Sequence, residues 1–296
     1  MGYHMITQMV FNGVMLGIVF SLIALGLVLV LSIMNVVNFA HGEFYTIGGF
    51  MAYFVFDRYL VASAGWPPLL AYFVAFLLTA VVIGVFGFVI EKVVMRPFRE
   101  NLLMGMMATV ALSILFSMGM AAGLGGGSFN VSYPLSGAVS IWGANVSKGR
   151  LLIMLVGGTL CVIMVLFINK SKLGKAMRAC MQNREVAQLQ GIDYGLISAL
   201  AFGIGCSLAA VSGLLIVPSG SLNAFAGGSY LMKSFIIIII GGLGSLPGTI
   251  AAGFLMGFVE SFGSFYLGLP VVNLLSFVLI IIVLIIRPRG LMGRAD

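Results

Sequence analysis

Apolar runs of about 20 residues recur along the whole chain, and they restrict its fold more than any other feature. The clearest occupy residues 10–31, 69–90, 102–122, 151–168 and 196–217. A helix needs about 20 predominantly apolar residues to cross the hydrocarbon core of a bilayer. Only 8% of the residues are charged, whereas soluble domains carry about 25%. The sequence therefore predicts an all-α, polytopic membrane protein with about eight or nine transmembrane or half-membrane helices.

The polar segments between the runs are short. None is long enough to bury a core of its own, so residues 1–296 are predicted to form a single transmembrane domain. The segment at about 123–150 begins with glycines and continues with short β-type runs at 129–133 and 139–142. This pattern predicts an external loop that contains a small hairpin.

Two glycine-containing breaks, at 35–49 and 241–248, interrupt the apolar pattern. Beside them, 42–56 and 231–243 would form helices only about 22 and 20 Å long, short of a core of about 30 Å. Non-helical backbone at membrane depth must be satisfied by protein or by a water-filled cavity. We therefore predict that the breaks line a pathway, the alternative being close helix packing through small side chains. The candidate residues are Asn38, His41, Gly42, Glu43, Gly241, Gly242, Gly244, Ser245 and Gly248.

Three ionisable residues lie in or near apolar surroundings: Glu43, Lys233 and Glu260. A charge at the centre of a membrane helix is costly and usually functional. Glu43 is expected either to line a pathway or to occupy a hydrated helix end. Glu260 allows either a pathway position or one near the outer surface, and Lys233 is expected to be an interfacial anchor.

One polar stretch, residues 170–193, stands out from the apolar sequence. Among fifteen Lys and Arg and eight Asp and Glu in the chain, it holds five basic and two acidic residues. Loops rich in Lys and Arg stay on the cytoplasmic side. The same rule places 11 of the 15 basic residues in the cytoplasm. These are the five in 170–193 together with Lys92, Arg96, Arg99, Arg287, Arg289 and Arg294. The other four, Arg58, Lys148, Arg150 and Lys233, are left for the outside.

This assignment predicts a cytoplasmic C-terminus. If every apolar piece crosses, the chain makes nine passes and the N-terminus lies outside. If one of the breaks is re-entrant, the number of passes falls by two and the orientation of both termini stays the same. The net charge of +7 is explained by this topology, and no nucleic-acid partner is predicted.

The polar stretch has the signals of two short helices. Ser171 can cap a helix that ends near Met181, and Asn183 can cap a second one that ends before Gly191. Asp193 can cap the next span. Met177, Val186 and Leu189 are expected at the surface, which favours docking of a soluble partner; the alternative is a helix that lies on the lipid.

Catalytic patterns are absent from the sequence. The two histidines, His4 and His41, have no partner ligand nearby, and the three cysteines have no paired spacing. The glycine-rich stretch 241–248 is followed by no Lys-Ser/Thr pair, so it is not a phosphate-binding loop. We expect no enzymatic activity, no metal site and no cofactor.

Four segments carry a family resemblance: NVVNFAHGEFYTIGGF (35–50), GKAMRACMQNREVAQLQGID (174–193), GGLGSLPGTIAAGFLMGFVE (241–260) and RPRGLMG (287–293). In this order, over most of the chain, they resemble the integral-membrane permease subunit of bacterial branched-chain amino-acid ABC importers. The second segment looks like the loop that contacts the ATPase subunits. The residues assigned to that role by the resemblance are Gly174, Lys175, Arg178, Asn183, Arg184, Glu185, Ala187 and Gly191.

The resemblance implies an ABC importer permease fold in the bacterial inner membrane. It implies a second homologous permease subunit, two cytoplasmic ATPase subunits that bind the ATP, and a substrate-binding protein outside. Relatives of the same kind carry amides or urea, so these substrates remain alternatives. A self-sufficient, ion-coupled secondary transporter is the other alternative, and it predicts buried carboxylates that face one another.

Overall fold

The computed structural model describes residues 3–99, 101–141 and 143–293, and most of them are helical. The helices are α1 (Tyr3–Met34), α2 (His41–Met51), α3 (Pro68–Ile90), α4 (Leu102–Leu124), α5 (Lys148–Lys170), α6 (Lys172–Gln182), α7 (Arg184–Leu189), α8 (Tyr194–Ile216), α9 (Ala226–Gly241), α10 (Leu246–Leu267) and α11 (Leu269–Ile286). In the described residues, seven helices are long and apolar enough to cross a membrane, and α9 is a shorter apolar helix. The predicted polytopic, all-α fold is confirmed.

Helices α1 and α8 lie at the centre of the bundle: residues 17–30 of α1 and most of α8 are buried. Small residues let the neighbouring helices approach closely. A Cβ atom on Gly257 of α10 would overlap the backbone of Gly17 in α1, and one on Gly205 of α8 would lie 2.8 Å from the carbonyl oxygen of Gly26. Helices α3, α4, α5 and α11 carry rows of exposed apolar side chains, as expected for helices that face lipid.

Two helices begin in the interior of the bundle. The N-terminus of α2 lies beside the middle of α1, because His41 Nε2 is 3.0 Å from the carbonyl oxygen of Ile23. Ile23 is eleven residues, or about 16 Å, from the end of α1 at Met34. The N-terminus of α9 lies against that of α2, where Gly227 contacts Gly42. The two interrupted helices therefore start side by side and run toward opposite ends of the bundle.

The chain does not form a re-entrant loop at the first break. After α1 it returns to the interior, and α2 then continues toward the opposite end of the bundle. After α2 the helix continues as a π-helix, Ala52–Ser63, past the predicted end at Phe56. The predicted end at Phe56 is wrong, because the π-helical part lengthens the segment through Asp57 and Arg58 to Ser63. The interior start of α2, in contrast, agrees with the prediction.

The second predicted break is a tight turn between α9 and α10, level with the end of α1. Gly242 and Gly244 adopt positive φ angles of 98° and 80°, and the Oγ of Ser245 accepts a hydrogen bond from Gly248 N at 3.2 Å to cap α10. The C-terminal segment covers this turn, since Leu291 N donates to Ile240 O at 2.8 Å. The glycines of 241–248 therefore serve a tight turn and close packing at this end of the bundle. The irregular segment in the interior is the one before α9, residues 217–225.

The charged segments separate to the two ends of the bundle. Tyr194 at the start of α8 donates a hydrogen bond to Ile33 O near the end of α1, which places the polar stretch and the C-terminal arginines at one end. The other end carries Arg58, Lys148 and a hairpin of two antiparallel strands, β1 (Ala138–Ile141) and β2 (Ala144–Ser147). A hairpin in this loop was predicted, but only the run at 139–142 contributes a strand; the predicted run at 129–133 forms a single bridge, from Phe129 to Leu222. Arg294, and Trp142 at the end of one predicted β-type run, lie outside the described residues.

Candidate functional site

The polar stretch folds into α6 and α7, called the helix pair below. Three side chains cap the helices as the sequence predicts. Ser171 Oγ accepts a hydrogen bond from Gly174 N at 2.8 Å, and Asn183 Oδ1 accepts one from Val186 N at 3.1 Å. Asp193 Oδ1 accepts another from Leu196 N at 3.1 Å. Each cap satisfies an N–H group that the helix itself leaves free, so the pair has a defined conformation.

One side of the helix pair packs against the membrane helices. Met177 is fully buried, which corrects its predicted exposure, and Cys180 and Ala187 are buried with it. Burial raises the pKa of the Cys180 thiol, while the nearby Arg184 guanidinium acts in the opposite direction. Gly174 lies against the carbonyl groups at the end of α5. Arg178 donates to one of these groups, that of Ile168.

The opposite side of the helix pair faces outward. Lys175, Asn183, Arg184 and Glu185 are exposed, and so are Val186 (48%) and Leu189 (87%), as predicted. Gly191 follows α7 with a φ of 81°, a conformation that favours glycine. A cavity of about 590 Å³ separates this surface from the ends of α1 and α4. Lys175, Asn183, Arg184, Glu185 and Gly191 are therefore exposed, whereas the predicted partner-binding residues Gly174, Arg178 and Ala187 pack against the bundle. Their role in binding a partner remains a prediction.

A cluster of charged and aromatic side chains connects the helix pair to the bundle. The guanidinium of Arg184 lies 4.1 Å from the ring centroid of Tyr194, and that of Arg99 lies 5.6 Å from the same ring. Arg99 also forms an ion pair with Glu91, whose side chain is fully buried and accepts a second hydrogen bond from Ser198 Oγ at 2.7 Å. Sequence analysis had treated Arg99 only as a marker of topology.

The residues of the first break are buried and hold the start of α2. Asn38 Oδ1 accepts a hydrogen bond from Ala40 N, and Glu43 Oε1 accepts one from Ser113 Oγ at 3.2 Å. Thr109 of α4 accepts from Phe39 N and donates to Val37 O. Three buried atoms of this break have no hydrogen-bond partner within the described residues: Asn38 Nδ2, His41 Nδ1 and Glu43 Oε2.

Thr109 and Ser113 were missed by the sequence analysis. They lie in a helix whose other side chains are mostly apolar and exposed, and a lone hydroxyl in such a helix carries no signal of its own. Their contribution depends on the fold, which brings α4 beside the break.

The two interrupted helices carry a stacked pair of tyrosines. The rings of Tyr45 in α2 and Tyr230 in α9 are 3.9 Å apart between centroids. One turn along α9, Lys233 Nζ donates to both carboxylate oxygens of Glu260 at 2.7 and 2.6 Å. The prediction of Lys233 as an interfacial anchor is wrong, because its ammonium group is paired inside the bundle. This pairing offsets the cost of two charges among apolar helices.

These features define a class of protein: a helical membrane permease with two interrupted helices that meet in its interior. A comparison with known protein families agrees with that class. The family described as "Branched-chain amino acid transport system / permease component" matches residues 9–285. The chain belongs to this family.

Curated relatives match over nearly the whole chain. The high-affinity branched-chain amino acid transport system permease protein LivH of Escherichia coli K12 is 32% identical, covering 98% of this chain and 96% of the relative. BraD of Pseudomonas aeruginosa, with the same description, is 34% identical over 99% and 97%. The probable LivH of Methanocaldococcus jannaschii is 27% identical over 92% and 88%. No solved structure matches the chain.

Proposed function

We propose that this chain is a membrane subunit of an ATP-driven importer of branched-chain amino acids. The observation that carries the proposal is the helix pair, which is capped at both helix starts and packed against the bundle while its polar side remains open. Its partners are then two cytoplasmic ATPase subunits, a second homologous permease subunit and a substrate-binding protein outside. The chain itself binds no ATP. The names of its relatives support branched-chain amino acids as the cargo.

Movement of the ATPase subunits can reach the interior through a short series of contacts. Arg184 stacks on Tyr194, and Tyr194 is bonded to the end of α1 through Ile33 O at 3.2 Å. The break that follows α1 leads directly to the start of α2. A displacement of the helix pair would thus act on α8, which packs along α2, and on α1, which packs along α9.

The orientation in the membrane is part of the same proposal. The end with the helix pair carries most of the basic residues and is assigned to the cytoplasm of the bacterial inner membrane. The β-hairpin and the N-terminus then face outside, where the binding protein docks.

The ion-coupled secondary transporter is less well supported. That class needs buried carboxylates that act together. In the described residues Glu43 is bonded to Ser113 of α4, whereas Glu260 is paired with Lys233 of α9. The two carboxylates therefore have different partners. An importer of amides or urea would have the same architecture as the proposed amino-acid importer, so only the transported substrate distinguishes the two.

Reconstitution into proteoliposomes tests the proposal. We expect the purified chain alone to hydrolyse no ATP and to accumulate no leucine. With the partner permease, the ATPase subunits and a leucine-loaded binding protein, ATP should drive uptake of leucine. Deletion of residues 172–189 should abolish co-purification of the ATPase subunits. Leucine transport by the chain alone would contradict the proposal, and uptake of urea but not leucine by the complete system would move the substrate to the alternative class.

A further inference from the structure

A cavity of about 250 Å³ lies at the end of the bundle opposite the helix pair. It is bounded by α1, the segment after α8, and the starts of α9 and α5. The stacked rings of Tyr45 and Tyr230 line it, and these belong to the two helices that meet at Gly42 and Gly227. The loop between α4 and α5 reaches its edge, where Tyr133 Oη donates to Ser219 Oγ at 3.0 Å.

The lining combines one cation with an apolar wall. Arg150 is the basic residue, and no carboxylate occurs among the described residues that line the cavity. Met15, Leu16 and Ile216 provide aliphatic surface. A site with one fixed positive charge and an aliphatic side fits a small carboxylate that carries a hydrocarbon group.

Arg150 holds an unused hydrogen-bonding group toward such a ligand. Its Nη1 donates to Asn12 Oδ1 at 2.7 Å, but its Nε is buried and has no partner within the described residues. A buried donor without a partner is costly. The planar guanidinium fork matches a carboxylate through two parallel hydrogen bonds. A bound carboxylate would satisfy Nε while Asn12 keeps the side chain in place.

One further feature reinforces the carboxylate site, and another suits the ammonium group of an amino acid. Ala226, the first residue of α9, lines the cavity, and no side chain in the described residues caps this helix, so its positive end adds to the field of Arg150. Ser261 and Ser264 donate their hydroxyl protons to Met9 O and Ser261 O. Their oxygen atoms remain as acceptors for an ammonium group.

We propose that this cavity binds a free aliphatic amino acid within the single subunit. The carboxylate is held by Arg150 and the start of α9, the ammonium group faces Ser261 and Ser264, and the side chain lies against Met15 and its neighbours. The inference rests on the proposed import of branched-chain amino acids. The inference adds to that function a binding site for the transported amino acid, on the outer side of the Tyr45–Tyr230 pair.

Equilibrium binding to the assembled transporter tests this site. The complex is placed in nanodiscs without binding protein or nucleotide, and radiolabelled L-leucine is displaced by unlabelled L-leucine or by L-leucinamide, which lacks the carboxylate. We expect leucinamide to compete at least about tenfold more weakly, as for loss of a charged hydrogen bond. Arg150→Gln should weaken leucine by about the same factor and remove the preference over leucinamide. Arg150→Lys, which keeps the positive charge, should retain part of the preference for leucine over leucinamide.

Arg58→Gln is the matched control, because Arg58 is an exposed arginine at the same end that bonds to Tyr53 outside the cavity. It should leave both affinities unchanged. The site is overturned if the wild-type complex binds no leucine, or if Arg150→Gln keeps the affinity and the preference over leucinamide. ATP-driven leucine uptake by the complete system distinguishes the two proposals: uptake that persists while the binding test fails removes the cavity and leaves the importer function standing.

Discussion

At the scale of single residues, the buried charges are most informative, because each is held by a specific partner. Glu91 is fully buried and accepts hydrogen bonds from Arg99 and Ser198. Its position between α3 and α8 makes it a structural connection at the end that carries the helix pair. A buried ion pair of this kind is sensitive to the loss of one partner, because the remaining charge stays in an apolar environment.

Arg99→Ala should therefore destabilise the protein strongly. We expect a loss of about 3–5 kcal/mol in the free energy of unfolding, the range seen when one member of a buried pair is removed. Arg96→Ala, three residues away at an exposed arginine, should change it by less than about 0.5 kcal/mol. Thermal unfolding in detergent measures both. Equal melting temperatures for the two variants would show that the Glu91 pair contributes little.

At the scale of elements, the helix pair and the two interrupted helices have different origins. The helix pair is set by local signals, since Ser171, Asn183 and Asp193 each cap the helix that follows. The interior contact of α2 with α9 depends on tertiary packing through Gly42 and Gly227, where any larger side chain would overlap the opposite backbone.

Gly191→Arg tests whether the helix pair transmits the ATPase movement. Gly191 and Gly65 both have positive φ angles, 81° and 68°, with open space around the Cβ position. Arginine at either site therefore carries a similar backbone strain of about 1–2 kcal/mol. We expect Gly191→Arg to reduce ATP-driven uptake at least about tenfold while membrane insertion is unchanged.

Gly65→Arg, at the opposite end of the bundle, should support nearly normal uptake in the same assay. If both variants lose uptake to the same extent, backbone strain alone explains the defect. If neither does, the helix pair is not the connection to the ATPase.

At the scale of the whole molecule, the distribution of charge and the path of the chain agree. Among the described residues, seven helices long enough to cross a membrane and the two interrupted helices bring the helix pair and the C-terminal arginines to the same end. The hairpin, Arg58 and Lys148 lie at the other end. This arrangement follows the rule that basic residues stay on the cytoplasmic side.

Cysteine labelling in intact cells checks the orientation. Cys161, Cys180 and Cys206 form no disulfide, so a background that replaces all three with alanine, a small residue, loses no covalent bond and should retain the fold. Lys148→Cys in that background should react with a membrane-impermeant maleimide added outside. Lys175→Cys, also at an exposed lysine, should react only after the cells are opened. The reverse pattern would invert the proposed topology.

Sequence analysis predicted the local features well and the interior contacts poorly. The caps of the helix pair, the membrane spans and the hairpin depend on neighbouring residues and were predictable. The partner of Lys233 was not, because Glu260 lies 27 residues away on the next helix. Glycine was ambiguous for the same reason: in 241–248 it makes a tight turn, while Gly42 permits a contact between two distant helices.

The sequence by itself determined that this chain crosses a membrane repeatedly, where its polar helix pair lies, and which family it resembles. Those conclusions rest on local hydrophobicity, capping and charge, which do not require knowledge of the fold. Only the tertiary structure decided that α2 and α9 start side by side, and that Arg150 faces a cavity with a free donor. Both depend on residues far apart in sequence, because hydrogen bonds and close packing are satisfied by whichever helix the fold brings near.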